Sequence, residues 1–69
     1  MFQLSEEDSI NIKLMELNDP LATIEDVAYY LGYSNLNPTV NKNGLVTLLN
    51  GEKRQIEFNG VFWKLNNSI

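Results

Sequence analysis

Little covalent chemistry is open to this 69-residue chain, because it has no cysteine and no histidine. Thiolate nucleophiles, histidine-centred catalytic pairs and histidine-based zinc sites are therefore excluded. Glu52 and Glu57 are of the residue type that a general acid and base pair needs, but no nucleophile, metal ligand or glycine-rich phosphate loop accompanies them. The sequence predicts no enzyme activity, no catalytic residue, no metal site and no cofactor. Its chemistry is expected to be that of binding.

Charge is divided unevenly along the chain, whose formal net charge is −4. Residues 1–26 carry one lysine against seven acidic residues, a balance of −6, whereas residues 27–69 carry four cations against two acidic residues, a balance of +2. Phosphate backbones attract clustered lysine and arginine, so the second part of the chain permits nucleic-acid binding better than the first.

Two helices are predicted in the acidic part of the chain. Ser5 can cap a helix over about residues 6–17, where apolar residues recur at helical spacing. Thr23 starts a capping-box pattern for a second helix over about residues 24–31, and Gly32 is expected to supply the left-handed position that ends it.

A third helix is predicted after this point. Asn37 can cap it and Pro38 suits its first turn. The helix would end near Asn43-Gly44 or continue to Asn50-Gly51. The shorter version is slightly favoured, because the runs on either side of Asn50-Gly51 also form a hairpin pattern.

The end of the chain carries a stronger hairpin signal at Asn59-Gly60. A two-residue loop would pair Phe58 with Val61, and it would point Phe62 outward. The apolar face buried by this register would consist of Ile56, Phe58, Val61, Trp63 and Leu65. We expect one domain over residues 1–69, with a core over about 6–65 and a tail at 66–69. No apolar segment approaches the roughly 20 residues that span a bilayer, which suggests a cytoplasmic location without membrane contact.

The segment Thr23–Gly32, with the small residue Ala28 four positions before Gly32, resembles the first helix of the helix-turn-helix in bacterial and phage DNA-binding proteins. The whole pattern resembles the winged-helix superfamily, including its small excisionase-like members. This resemblance implies an α+β fold with two or three helices followed by an antiparallel β-hairpin or a three-stranded meander. It also implies that the helix after the turn reads the major groove and that the hairpin contacts the backbone. The implied recognition residues are Asn37, Thr39, Asn41 and Lys42, and the implied backbone contacts are Lys53 and Arg54.

Two functions are predicted from these features. The first is a DNA-binding transcription regulator or recombination accessory factor of a phage or mobile element, which would bind duplex DNA as a homo-oligomer because one small module has a small footprint. The alternative is an acidic phage-type inhibitor that binds a host protein, such as an anti-CRISPR protein, through Tyr29 and Phe62. Tyr30 and Tyr33 are expected to cover the edge of the small core, and the alternative is that they form an aromatic contact patch with Tyr29.

Overall fold

The computed structural model describes residues 4–66 and contains two helices followed by a four-stranded antiparallel sheet. The elements are α1 (Glu6–Glu16), α2 (Ile24–Gly32), β1 (Thr39–Val40), β2 (Leu45–Thr47), β3 (Lys53–Phe58) and β4 (Trp63–Asn66). The strands lie in the order β1-β2-β3-β4, so consecutive strands are neighbours. The protein is therefore a small α+β domain. No helix among the described residues is long and apolar enough to cross a membrane.

Both helices begin at the residues predicted from their capping patterns. The Ser5 hydroxyl accepts a hydrogen bond from the Asp8 N–H at 3.1 Å, and Thr23 and Asp26 exchange the two bonds of a capping box. The prediction for Gly32 is wrong: this residue is the last of α2 and does not have a positive φ. It instead lets the sheet approach, since a Cβ there would lie 3.6 Å from Cγ1 of Val40.

The predicted third helix is wrong, because the segment after α2 forms a turn and an edge strand. Asn37 has φ of 46° and caps no helix, and the next residues, Thr39 and Val40, pair with Thr47 and Val46 of β2. β-Branched residues on both strands favour this pairing, and the Asn-Gly sequence at 43–44 allows the chain to reverse between them. The alternative hairpin around residues 50–51 is confirmed by the pairing of β2 with β3.

The predicted register of the last hairpin is also wrong. Phe58 pairs with Trp63 and Ile56 pairs with Leu65, so the loop has four residues, 59–62, and not two. Because side chains alternate between faces, a shift of two positions keeps Ile56, Trp63 and Leu65 on the same face. Phe58 and Val61 were predicted to lie in the core, but they are 46% and 81% exposed.

The ends of the predicted segments also differ from the structure. Phe62, which was expected to point outward, is half-buried in the loop. Of the predicted tail at 66–69, Asn66 belongs to β4 and pairs with Gln55, and residues 67–69 lie outside the described residues.

The core lies between the two helices and one face of the sheet. Its buried members are Ile10, Leu14, Val27, Ala28, Leu31, Val46, Leu48, Ile56 and Leu65. A hydrogen bond of 3.0 Å from the Tyr30 hydroxyl to the Lys13 carbonyl joins α1 to α2, and Tyr30 is half-buried as predicted. Helix α1 covers β4, where Asn11 Oδ1 accepts from the outward N–H of Leu65 at 2.8 Å. This packing leaves the outer side of α2 open beside β1.

Candidate functional site

A groove of about 480 Å³ lies between α2 and the β1–β2 hairpin. This size is within the range of pockets that hold small ligands or parts of larger partners. Its lining residues from α2 and the following turn are Glu25, Ala28, Tyr29, Gly32 and Tyr33, and those from the hairpin are Pro38, Thr39, Val40, Asn41 and Lys42. The two walls are adjacent in sequence and joined by the six residues 33–38, and β2 holds the hairpin wall in place by pairing with β1.

The helical repeat explains how α2 forms its wall. Glu25, Tyr29 and Tyr33 are four residues apart in sequence, so they form one stripe along the helix and its C-cap. The small residues Ala28 and Gly32 lie beside that stripe and allow the helix to come close to β1. The two tyrosine rings therefore form one side of the groove, and the small residues Ala28 and Gly32 form its shallow bottom.

The two tyrosines form the most conspicuous part of this groove. Their ring centroids are 4.6 Å apart with an interplanar angle of 36°, and the residues are 68% and 77% exposed. The prediction that Tyr33 covers the core edge is therefore wrong. A hydrogen bond with the Tyr33 hydroxyl, together with its electrostatic effect, raises the pKa of Tyr29 above the ordinary value. A phenol whose pKa is at or above the ordinary value is neutral at physiological pH, so Tyr29 can donate and accept hydrogen bonds.

One acidic and one basic side chain complete the lining. The side chains of Glu25 and Lys42 form no hydrogen bond or ion pair with any other described residue. Lys13, in contrast, is bound to Glu16 at 3.3 Å on the surface of α1. The groove therefore offers one free carboxylate and one free ammonium group to a ligand.

The backbone of β1 adds further hydrogen-bonding groups. The Asn41 N–H donates to the Leu45 carbonyl at 3.1 Å, which makes these two residues a hydrogen-bonded pair. Because such pairs alternate along antiparallel strands, Val40 and Val46 form a non-hydrogen-bonded pair. The N–H and carbonyl of Val40 therefore point away from β2, toward the open edge beside the groove.

Four of the residues predicted to bind a ligand line this groove together. Thr39, Asn41 and Lys42 were predicted to bind DNA, and Tyr29 was predicted to bind a protein. They lie on a helix face and a hairpin, and not on the recognition helix from which three of them were proposed. Asn41 also has a structural task, since its Oδ1 accepts from the N–H groups of Asn43 and Leu45 at 2.9 and 3.0 Å.

The other predicted DNA contacts lie elsewhere. Asn37 is exposed in the turn before β1, and Lys53 is exposed at the start of β3. Arg54 is half-buried: its guanidinium lies 3.3 Å from Glu7 and 2.7 Å from Glu52. The hydrogen bond with Glu52 and the charge of Glu7 raise the pKa of Arg54, so the guanidinium stays protonated, and these two carboxylates balance its charge within the protein.

Phe62, the other predicted protein contact, does not reach the groove. It lines a separate hollow of about 70 Å³ together with Leu17, Pro20 and Trp63. Tyr33 belongs to the groove and was considered only as part of an alternative aromatic contact patch, and Glu25 and the edge of Val40 belong to it but were not predicted. The spacing of four residues from Glu25 to Tyr29 to Tyr33 was a usable signal, because a helix places such residues on one side.

Comparison with known proteins gives no relationship for this chain: no protein-family model matches it, and no curated protein or solved structure shows significant similarity.

Proposed function

We propose that this protein is a protein-binding module whose groove between α2 and β1 holds an extended segment of a partner protein. The observation that carries the proposal is the pair of exposed tyrosines, Tyr29 and Tyr33, beside the open backbone edge of β1. Tyrosine is one of the residues most enriched among the energetic centres of protein interfaces. Neighbouring rings that remain exposed in the free protein offer apolar area for a partner to cover.

The geometry supports binding by strand addition. An extended segment beside β1 would donate to the carbonyl of Val40 and accept from its N–H, which continues the sheet by one strand. Side chains of that segment that point toward α2 would contact the two rings. Glu25 and Lys42 would then pair with groups of opposite charge on the partner. Main-chain bonds supply affinity in this mode, and the tyrosines and charges supply specificity.

Charge also favours a protein over duplex DNA as the partner. The net charge is −4, and the guanidinium of Arg54 is bound by Glu7 and Glu52. Binding to a phosphate backbone draws its energy from free cations that displace counterions, and few are available in this protein. Small acidic phage inhibitors of host machinery resemble this chain in size and charge, and such an inhibitor is a biological role that this module would suit.

DNA binding by a winged-helix-like protein is the second candidate function. Two helices followed by antiparallel strands support this relationship. The cations Lys42, Lys53 and Lys64 all lie on the sheet or its turns, whereas the acidic residues of the segment 6–26 lie on or near the helices. In this case the β1–β2 hairpin would contact the duplex and several copies would bind together.

A peptide selection tests the first candidate. Peptides selected from a random display library against the protein would be measured by fluorescence anisotropy with the wild type and with Tyr29→Ala/Tyr33→Ala. We expect the double variant to bind at least about 30-fold more weakly, since an interface centre contributes about 2 kcal/mol or more. The matched control is Leu49→Ala/Val61→Ala, which removes two side chains that are even more exposed than the tyrosines but lie outside the groove. It should bind as the wild type does.

Two further measurements separate the candidates. The amide signals of Val40 and Asn41 should shift in nuclear magnetic resonance spectra when peptide is added. Duplex DNA would be titrated in parallel at about 50 mM salt, where electrostatic binding is strong. Peptides that bind the wild type and the Tyr29→Ala/Tyr33→Ala variant equally would overturn the first proposal. DNA binding that is lost in Lys42→Ala/Lys53→Ala/Lys64→Ala would support the second.

A further inference from the structure

The chain contains three Asn-Gly dipeptides, at 43–44, 50–51 and 59–60, and each glycine has a positive φ, of 85°, 89° and 97°. Asparagine followed by glycine is the sequence most open to spontaneous loss of the side-chain amide, because glycine has no side chain to hinder ring closure. We propose that Asn59 is a site of this modification and that the fold protects the other two asparagines.

The reaction needs only water. The backbone nitrogen of Gly60 attacks Cγ of Asn59, loses its proton to solvent and forms a new N–Cγ bond. The Cγ–Nδ2 bond breaks, and Nδ2 takes up a proton and leaves as ammonia. Water then opens the five-membered imide at one of its two carbonyl carbons. The products are aspartate or isoaspartate at position 59, and no oxidation or reduction takes place.

The nucleophile is free at only one of the three sites. The Gly44 N–H donates to the Asn41 carbonyl at 3.0 Å, and the Gly51 N–H donates to the Leu48 carbonyl at 2.9 Å. Each of these bonds must open before the nitrogen can react. The Gly60 N–H has no hydrogen-bond acceptor within residues 4–66.

The electrophile at Asn59 is also activated by its surroundings. Its Oδ1 accepts hydrogen bonds from the N–H groups of Val61 and Phe62, both at 2.9 Å. Attack on Cγ places negative charge on this oxygen, and two fixed backbone donors stabilise that charge as an oxyanion hole does. Asn50 Oδ1 has one such donor, the N–H of Glu52 at 2.9 Å, and Asn43 Oδ1 accepts none from another described residue.

The space around the glycine separates Gly44 from the other two sites, since a carbon atom added at Gly51 or Gly60 would meet no atom within 4 Å. A carbon atom added at Gly44 would lie 2.8 Å from Ile24 and 3.0 Å from Gln55. The buried Gly44 also accepts at its carbonyl from the Ile56 N–H, which ties it to β3. Asn59 is therefore the site at which a free nucleophile, a polarised carbonyl and open space coincide.

The chain's own basic residues allow the three sites to be measured separately. Trypsin cuts after Lys42, Lys53, Arg54 and Lys64, so peptide 55–64 contains Asn59 alone and peptide 43–53 contains the other two asparagines, which fragmentation resolves. The folded protein would be incubated at mildly alkaline pH in water enriched in heavy oxygen, and deamidation would be measured by mass spectrometry. The urea-unfolded protein provides the intrinsic rate of each site.

In the folded protein, Asn59 should react within about threefold of its unfolded rate, and Asn43 and Asn50 should be slowed at least about tenfold by the hydrogen bonds that must open. Gly60→Ala should slow Asn59 in both states, whereas Gly51→Ala should leave it unchanged, with folding of each variant checked by circular dichroism. The proposal fails if folding slows Asn59 as much as Asn43. It also fails if Asn50 becomes the fastest site.

Discussion

Replacement of Gly44 by alanine is expected to be more destabilising than the same change at the other glycines with positive φ. A Cβ at this position would lie 2.8 Å from both Cγ1 and Cδ1 of Ile24 and 3.0 Å from Nε2 of Gln55. Movement of Cγ1 requires a change of χ1 in Ile24, a partly buried residue that packs against the core. The close contact should cost about 1–3 kcal/mol, as overpacking does in other cores.

The backbone conformation adds a second cost at Gly44, whose φ is 85°. A left-handed conformation costs an L-residue about 1–2 kcal/mol, so the total is about 2–5 kcal/mol. A domain of 69 residues has a free energy of unfolding of roughly 3–10 kcal/mol. The substitution should therefore remove a large part of the stability of this fold.

Gly51 and Gly60 provide matched controls for the backbone cost. Their φ values are 89° and 97°, and an added Cβ would meet no atom within 4 Å at either position. Alanine at these sites should cost only the backbone part, about 1–2 kcal/mol. The difference between Gly44→Ala and the two controls then measures the packing of Ile24 against the hairpin.

Urea unfolding followed by circular dichroism and by the fluorescence of the single tryptophan would measure all three variants. Each kcal/mol should lower the melting temperature by about 4–8 °C in a domain of this size. Equal losses in the three variants would refute the reasoning, because they would show that Ile24 does not contact Gly44 closely.

Three further predictions concern the last hairpin and the tyrosine pair. Glu57→Cys/Lys64→Cys should form a disulfide, since the two residues are directly opposite on β3 and β4. Closing this eight-residue loop should raise the free energy of unfolding by up to about 2.5 kcal/mol. A melting temperature that is no higher under oxidising than under reducing conditions would contradict the register. Trp63→Phe should change the free energy of unfolding by less than about 1 kcal/mol, because it removes a buried indole N–H that has no acceptor among the described residues. Trp63→Ala should lower the free energy of unfolding by about 3–5 kcal/mol in the same urea titration. Tyr33→Phe should lower the raised pKa of Tyr29, as read from tyrosinate absorbance. Since the folded state favours the neutral phenol, its contribution to stability should be fully present below the ordinary tyrosine pKa of about 10 and be lost as pH rises through the raised pKa of Tyr29. This loss should be smaller in Tyr33→Phe. An unchanged titration of Tyr29 would show that the two hydroxyls do not interact.

Local signals in the sequence predicted the helix starts well. Ser5 and Thr23 cap the helices at the predicted positions, because a capping bond joins residues only three apart and its pattern is complete within one turn. The hairpin around residues 50–51 was predicted as an alternative for the same reason. Its Asn-Gly turn and flanking apolar residues are neighbours in sequence.

The errors arose where pairing partners are distant or several registers are compatible with one turn. Pro38 is typical of a first helical turn, but the strand that follows it exists only because β2 returns to pair with it. At Asn59-Gly60, both a two-residue and a four-residue loop keep the same side chains on the inner face, since they differ by two positions. Alternation of apolar and polar residues therefore does not distinguish these registers.

The candidate site also combines residues that the sequence predicts with an arrangement that only the fold creates. Tyr29, Thr39, Asn41 and Lys42 were all predicted to bind, although from two different functions and two different surfaces, and the fold brings them to one groove. The spacing of Tyr29 and Tyr33 is readable from the sequence. The sequence does not show on which side of the molecule their rings remain exposed.

By itself, the sequence determined what depends on residue type and near neighbours: the lack of histidine and cysteine, the acidic balance, two capped helices and turns at the Asn-Gly dipeptides. The tertiary structure alone decided which groups remained free to bind. In the folded protein Arg54 pairs with Glu7, 47 residues away, so its charge is not available to bind a ligand. The side chains of Glu25 and Lys42 have no partner among the described residues. The physical reason is that charge pairing, exposure and the open edge of β1 depend on distances between elements, and packing of the core sets those distances.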